Sequence, residues 1–329
     1  MSKGKQQETQ ETQGQEEVVD AKSTQVAPAA QTAVAEVQVQ GVQLDFPFIR
    51  IGQGMSQWRT PETKSGKPEE GAFYVGRSKD GNVKIGEPGR DGGVTCIILD
   101  VVEGYKEDRP YTPGTVTAPK RWVVGAPGPD GEPMSEQDVL AAAAAEGLTT
   151  ASKPTGEFWP DSGRPKYTRP TLSKFAYLMM LVPLPDTFDS DEFGLYPIGG
   201  KMWTTARFEF AKQYYSGSRD IPGFARTAGN VLTRVKFAHD NELRQKLLAK
   251  QIGEDEYKTR MAEFQPTLRG VVGHIYSFLA TNRDGIQYTS YCFERSQREL
   301  TDEEKADFVK FLMSVEAGYA EPADADPEL

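Results

Sequence analysis

Rings and cations recur side by side along this chain: Trp58 with Arg59, Arg121 with Trp122, Trp159 with Arg164, Lys166, Tyr167 and Arg169, and Tyr276, Tyr288 and Tyr291 with Arg283 and Arg295. That combination suits one chemistry. A flat ring stacks on a nucleobase at about 1–3 kcal/mol per base while Lys and Arg follow the phosphates, so a single strand can be held without reading its sequence. For any one residue a plainer assignment competes, a ring packed into a half-buried sheet beside a solvated charge. The residues singled out as nucleic-acid contacts are Trp58, Arg59, Arg121, Trp122, Trp159, Arg164, Lys166, Tyr167, Arg169, Tyr276, Arg283 and Tyr288.

Catalytic constellations are scarce by comparison. Of the two histidines, His239 precedes Asp240 in a charged helical stretch, where solvation is the simpler expectation, and His274 lies among aromatic strand residues. No CxxC, HxH or HExxH spacing is present, which argues against a structural zinc site or a zinc hydrolase. The glycine-rich run Val124 to Pro133 lacks the Gly-Lys-Ser/Thr of a phosphate-binding loop. Asp100, Glu103 and Lys106 superficially match the acid, acid and lysine set of metal-dependent nucleases, but those enzymes place the second acid two residues before the lysine and here the spacing is three. No catalytic residue, metal or cofactor is expected.

These groups must be positioned by a chain of 329 residues, long enough for one or two domains with a sizeable core. The net charge of −10 argues against a nucleic-acid partner only until it is divided along the chain. Residues 1–40 carry −3 and residues 302–329 carry −7, which leaves 41–301 neutral, and 201–300 holds sixteen Lys and Arg against eleven acids. The acidity therefore belongs to the ends, and local patches decide more than the total. Cys96 and Cys292 sit in apolar or aromatic runs and read as reduced core residues. No apolar run approaches membrane length and the first residues lack the apolar segment of a signal peptide, so a soluble intracellular protein is expected.

Residues 1–40 read as a disordered polar leader. The β core begins with Val42 to Ile51, where Pro47 marks a strand start or sheet edge. Short strands follow at 71–76 and 82–86, and Val94 to Val102 is the strongest β sequence, continuous enough to be buried on both faces. A strand at 120–124 precedes a helix at 135–147 capped by Ser135, with Asp138 three residues on. Residues 158–170 read as an aromatic and basic loop, and 172–183 as an apolar segment whose pattern does not separate helix from strand, with its place between proline-rich loops favouring a buried strand. Trp203, Ala206, Phe210 and Tyr214 recur near helical spacing, which predicts a helix over 202–215. Residues 223–230 read as an interruption, 231–237 as a strand or a helix start, and 241–264 as one or two exposed helices. Two aromatic strands about an Asp-Gly turn form a hairpin over 273–293. A capping box at Thr301 to Glu304 opens a last helix to about 315, followed by a disordered acidic tail over 316–329. The expected fold class is α+β: an antiparallel β-rich core, OB-like barrel or similar, over 41–315 with peripheral helices and a subdivision near 200 left open.

The runs LDFPFIRIGQGMSQ, GAFYVG and VTCIILDVVEGYKEDRPY, together with the later HIYSFLATNRDGIQYTSYCFE, resemble in their order a group of bacteriophage proteins described as single-stranded DNA-binding proteins. The likeness covers about half the chain. It departs in three places: Trp122 comes late after the apolar strand, and the alanine-rich helix and the charged insert 241–264 have no counterpart. The resemblance implies sequence-independent binding of single-stranded DNA in phage replication or recombination, in the cytoplasm of the infected host. It further implies that an acidic C-terminal tail such as ADADPEL recruits replication or recombination proteins or competes with DNA, against the alternative of a merely solubilising tail. No membrane partner is expected, and homo-oligomerisation is left open. A phage structural or host-takeover protein acting through protein contacts is the rival class.

Overall fold

The computed structural model describes residues 37–39, 42–44, 46–52, 68–77, 82–109, 119–160, 162–186, 194–218, 220–281 and 285–317. Residues 1–36 of the leader, 318–329 of the acidic tail, Trp58, Arg59 and Arg283 lie outside the described residues, whereas 37–39, expected as part of the disordered leader, form a strand and 316–317 close the last helix. No helix among them is long and apolar enough to cross a membrane.

The strands are β1 (Val37–Val39), β2 (Val42–Leu44), β3 (Phe48–Ile51), β4 (Phe73–Gly76), β5 (Val83–Gly86), β6 (Val94–Glu107) and β7 (Arg121–Val123), then helix α1 (Glu136–Ala145). Strands β8 (Pro154–Phe158), β9 (Pro165–Tyr167), β10 (Leu172–Pro183), β11 (Leu195–Ile198) and β12 (Lys201–Ala211) follow. Helices α2 (Gln213–Ser216), α3 (Phe224–Leu248) and α4 (Glu254–Glu263), strands β13 (Val272–Thr281) and β14 (Gln287–Arg295), and helix α5 (Asp302–Ala317) complete the chain. Among the described residues β1 pairs only with β2, and β8 only with β9. The other ten strands form one sheet in the order β14-β13-β6-β10-β12-β3-β4-β5, with β7 alongside β6 and β11 alongside β12. Its pairings are antiparallel except that of β12 with β3, which meet in parallel at Arg207 and Phe48.

Strand β10 lies at the middle of this sheet and explains its own composition. Its register sends Ala176, Leu178, Met180 and Val182 into one core and Phe175, Tyr177, Met179 and Leu181 into another. A strand buried on both faces has no reason to alternate, so LSKFAYLMMLVP reads as a continuous apolar run. The first core is closed by α3, whose Phe224, Ala228 and Val231 recur at helical spacing. The second is closed by α5 through Phe308 and Phe311. A third, smaller cluster joins Tyr105 and Leu172 to Val139 and Ala143 of α1.

The sheet curls into a half-barrel. Ser277 on β13 donates to the carbonyl of Gly71 at 2.7 Å, just ahead of β4, although four strands separate β13 from β4 in the sheet. The Tyr291 phenol of edge strand β14 likewise reaches the Glu209 carbonyl of β12 at 3.3 Å, and its ring packs on Phe208 at 5.0 Å. Gly71 takes φ +83°, and a Cβ there would stand 3.1 Å from the Ser277 hydroxyl, so glycine serves both the turn and the close approach. The α+β class and a barrel-like β core are thus observed.

Several expectations require correction, the first being that the core expected to be antiparallel is a mixed sheet, through the parallel pairing of β12 with β3. The helix over 202–215 is instead strand β12 followed by the single turn of α2. Trp203 belongs to the second core and Ala206, Phe208 and Phe210 to the first, so burial on both faces gave spacing that mimics a helix. Residues 223–237 neither interrupt nor form a strand, because Gly223 caps α3, which runs unbroken through the stretch. The helix after Ser135 carries a full capping box with Asp138, and Thr301 and Glu304 cap α5 in the same way. Cys96 and Cys292 are buried free thiols.

Candidate nucleic-acid interface

Residues 158–170, expected as a loop, form most of an exposed two-stranded ribbon. Thr149 and Thr171 root it, since the Thr149 amide donates to the Thr171 hydroxyl at 2.9 Å and the Thr171 amide returns to the Thr149 carbonyl at 3.0 Å. Lys153 and Thr168 repeat the exchange one step outward at 2.9 and 2.8 Å. At the far end the Trp159 amide donates to the Arg164 carbonyl at 2.8 Å, and Gly163, at φ +61°, turns the chain. Pro154, Pro160 and Pro165 remove amide donors along the ribbon, which keeps its open edges from recruiting further strands.

This ribbon buries almost nothing. Phe158, Trp159 and Tyr167 are 62, 55 and 56% exposed. Paired residues share a face, so the register of Pro154 with Tyr167 and of Phe158 with Pro165 sets Tyr167 and Phe158 on one side. Trp159 lies with Lys166, whose ammonium is 5.3 Å from the indole centroid. Lys166 also pairs with Glu157 at 3.0 Å. Arg164 and Arg169 are exposed, and Lys153 adds a further cation at the root. Phe158 and Tyr167 on one face and Trp159 on the other thus leave both sides of the ribbon with exposed rings that none of the apolar cores among the described residues includes.

Other predicted contacts are arranged differently. Arg121 on β7 reaches Glu209 of β12 at 3.1 Å, and Lys106 pairs with the other oxygen of the same carboxylate. Burial alone would raise the Glu209 carboxyl, but the two cations overcome it and hold it below its ordinary value. Trp122 packs half-buried against the α1 cluster. Tyr276 stands in a row of half-buried rings on β13, 5.7 Å from His274 and 6.3 Å from Phe278. The Arg90 guanidinium lies 5.5 Å from the Tyr276 ring while pairing with Glu294 at 2.8 Å. Tyr288, half-buried, faces Ala280 across the same hairpin. Of the predicted residues, the fold therefore brings together Trp159, Arg164, Lys166, Tyr167 and Arg169, and sets Tyr276 with Tyr288 on a separate hairpin. Sequence reasoning missed Phe158, the most exposed ring of the ribbon, and Arg90, which sits far from Tyr276 in the chain.

Asp100, Glu103 and Lys106 do not converge. Glu103 accepts from the Tyr215 phenol at 2.6 Å and pairs with Lys174 at 3.2 Å. Lys106 is opposite Ser173, which puts it on the other face of the sheet, where it meets Glu209. No group of three or more His, Cys, Asp or Glu with metal-binding geometry occurs among the described residues. His239 stacks on Phe264 at 3.8 Å while Asp240 takes the Tyr257 hydroxyl at 2.5 Å, so this pair joins α3 to the segment around α4.

No protein-family model matches the chain, and neither a curated protein nor a solved structure matches it.

Proposed function

We propose that this protein binds single-stranded DNA without sequence specificity, with the β8–β9 ribbon as its principal contact surface. One observation carries the reading: three rings more than half exposed are interleaved with Lys153, Arg164, Lys166 and Arg169 on a ribbon that pairs with no other strand among the described residues. Bases stack on the rings and the cations follow the phosphates. In the phage setting that the sequence resemblance implies, the bound strand is a replication or recombination intermediate, the half-barrel serves as an OB-like scaffold, and no reaction is catalysed. The β13 ring row offers a second, weaker set of stacking faces.

The test is a titration of the full chain with oligo-dT and with duplex of equal length, at two salt concentrations, read by tryptophan emission. Binding to oligo-dT should quench emission, weaken steeply with salt and be impaired by Trp159→Ala. Absence of quenching and of any mobility shift at low salt overturns the reading. A structural or host-directed protein acting through protein contacts is the second reading, favoured by Leu279 and Ile286, which are 67 and 62% exposed near the end of the β13–β14 hairpin. Recovery of a stable protein complex after nuclease treatment, with no binding to oligo-dT, would select it.

A further inference from the structure

A cavity of about 720 Å3 opens between β6, the segment after β7, the first half of α3 and the segment leading into β13. Val124, Phe224, Ala228, Leu232 and Leu268 give it apolar walls. Two charges of opposite sign, Asp100 and Arg269, stand in the same lining. Asp100 sits where β6 slips its register against Met179 and Met180 of β10. One of its oxygens accepts from the Val101 amide at 2.8 Å, and the carboxylate has no other hydrogen-bond partner among the described residues. Arg269 donates through Nε to the Leu99 carbonyl at 3.2 Å, and its terminal nitrogens meet no carboxylate among the described residues. The two charges are not within ion-pairing distance of each other. Glu103, also in the lining, is already held by Tyr215 and Lys174.

Half-buried charges are costly unless an opposite charge reaches them. Burial pushes the Asp100 carboxyl above its ordinary value, against the pull of the Val101 amide and of Arg269. A fold that keeps both groups at one apolar cavity without joining them leaves room for a ligand that joins them. We propose that this cavity binds a small zwitterion with an apolar body, of the class of the large apolar α-amino acids, its ammonium on Asp100 and its carboxylate on Arg269. A lone cation would satisfy Asp100 and be repelled by Arg269, and a lone anion the reverse. The volume lies within the range of small-molecule sites and leaves space for a ring against Phe224 and Leu232. The site is separate from the β8–β9 ribbon, none of whose residues line it, so it neither requires nor excludes nucleic-acid binding.

The protein supplies a mild way to close the cavity. Gly229 of α3 is in the lining, and a Cβ built on it meets nothing within 4 Å. A larger side chain there enters open space and replaces a poor helix former. The experiment titrates the full chain with L-phenylalanine, phenethylammonium and 3-phenylpropionate, followed by saturation-transfer NMR and calorimetry. The proposal expects saturable binding of L-phenylalanine, at least about tenfold weaker binding of either singly charged probe, and loss of about tenfold or more in Asp100→Asn and in Arg269→Gln. Gly229→Leu should abolish binding. Asp100→Asn retains an oxygen for the Val101 amide and removes a half-buried charge, so its thermal unfolding should not fall below that of the parent. Equal binding of all three probes, no binding of L-phenylalanine, or binding that survives Gly229→Leu overturns the proposal. Oligo-dT affinity, measured on the same variants, should be unchanged.

Discussion

Arg121 and Trp122 on β7 and the stretch from Trp159 to Arg169 on the β8–β9 ribbon are built from the same residue types, yet they end in opposite environments. β7 lies against β6, so Arg121 comes within reach of Glu209 and Trp122 comes to rest on α1. Among the described residues the ribbon pairs only with itself and its rings join none of the apolar cores, and its cations outnumber its acids. In the proposed reading, a ring serves as a ligand surface where no third layer arrives and cations nearby stay unclaimed; on the ribbon Lys166 is held by Glu157, but Arg164 and Arg169 meet no carboxylate among the described residues. The difference lies in the neighbours, and it can be attacked from either side.

The largest effect is expected at Glu209. Glu209→Ala leaves Lys106 and Arg121, both less than a third exposed, without their shared carboxylate. Breaking such a pair from one side should cost about 3 kcal/mol, visible as a lower urea midpoint at unchanged slope. Oligo-dT affinity under native conditions should stay near that of the parent. A stable variant with altered DNA affinity would mean that the β7 cluster belongs to the interface after all. Trp159→Ala should give the reverse pattern. Loss of one stacking face should cost about 2 kcal/mol of binding to oligo-dT, roughly thirtyfold, while stability moves by less than about 0.5 kcal/mol because the ring buries little. A large loss of stability would show that the ribbon packs on something after all.

How much of this was legible in the sequence follows the same contrast. The apolar run of β6 announced a buried strand, that of β10 left helix and strand unresolved by alternation and was read as a strand from its flanking loops, and the capped helices α1 and α5 announced their starts because those signals are local. β12 misled because it too is buried on both faces, which erases alternation and leaves only spacing. The ribbon was hidden by its prolines and by strands of five and three residues, too short to carry a period. The rings themselves were visible. What could not be read was the fate of each cation, since the carboxylate that claims Arg121 lies 88 residues away and the same carboxylate claims Lys106 from 103 residues away. Phe158 was read as part of the aromatic and basic stretch but not singled out as a contact, because no cation is adjacent to it in the chain.

Acid should act on β7 and spare the ribbon. The folded Glu209 carboxyl titrates below its unfolded value of about 4.5, so its ion pairs contribute fully above that pH and are lost as pH falls through the lower, folded value. Stability of the parent should therefore decline below about pH 4.5 more steeply than that of Glu209→Gln. Parallel urea series at pH 6 and pH 3 measure it, and identical slopes for the two proteins would remove Glu209 as the source.

The smallest effect concerns a single charge on the ribbon. Arg164→Ala removes an exposed cation that neither pairs with a carboxylate among the described residues nor supports the fold through its side chain. If it contacts a phosphate, one counterion fewer is released on binding, and the slope of log K against log salt should flatten by about 0.7 for a single strand. At 50 mM salt the affinity should drop severalfold, and the gap from the parent should narrow as salt is raised. The matching change on β7, Arg121→Ala, should leave that slope alone because its charge is already balanced by Glu209. Measuring both slopes separates a cation that faces a ligand from one that faces a carboxylate, and equal slopes in the two variants would dissolve the distinction between the ribbon and β7.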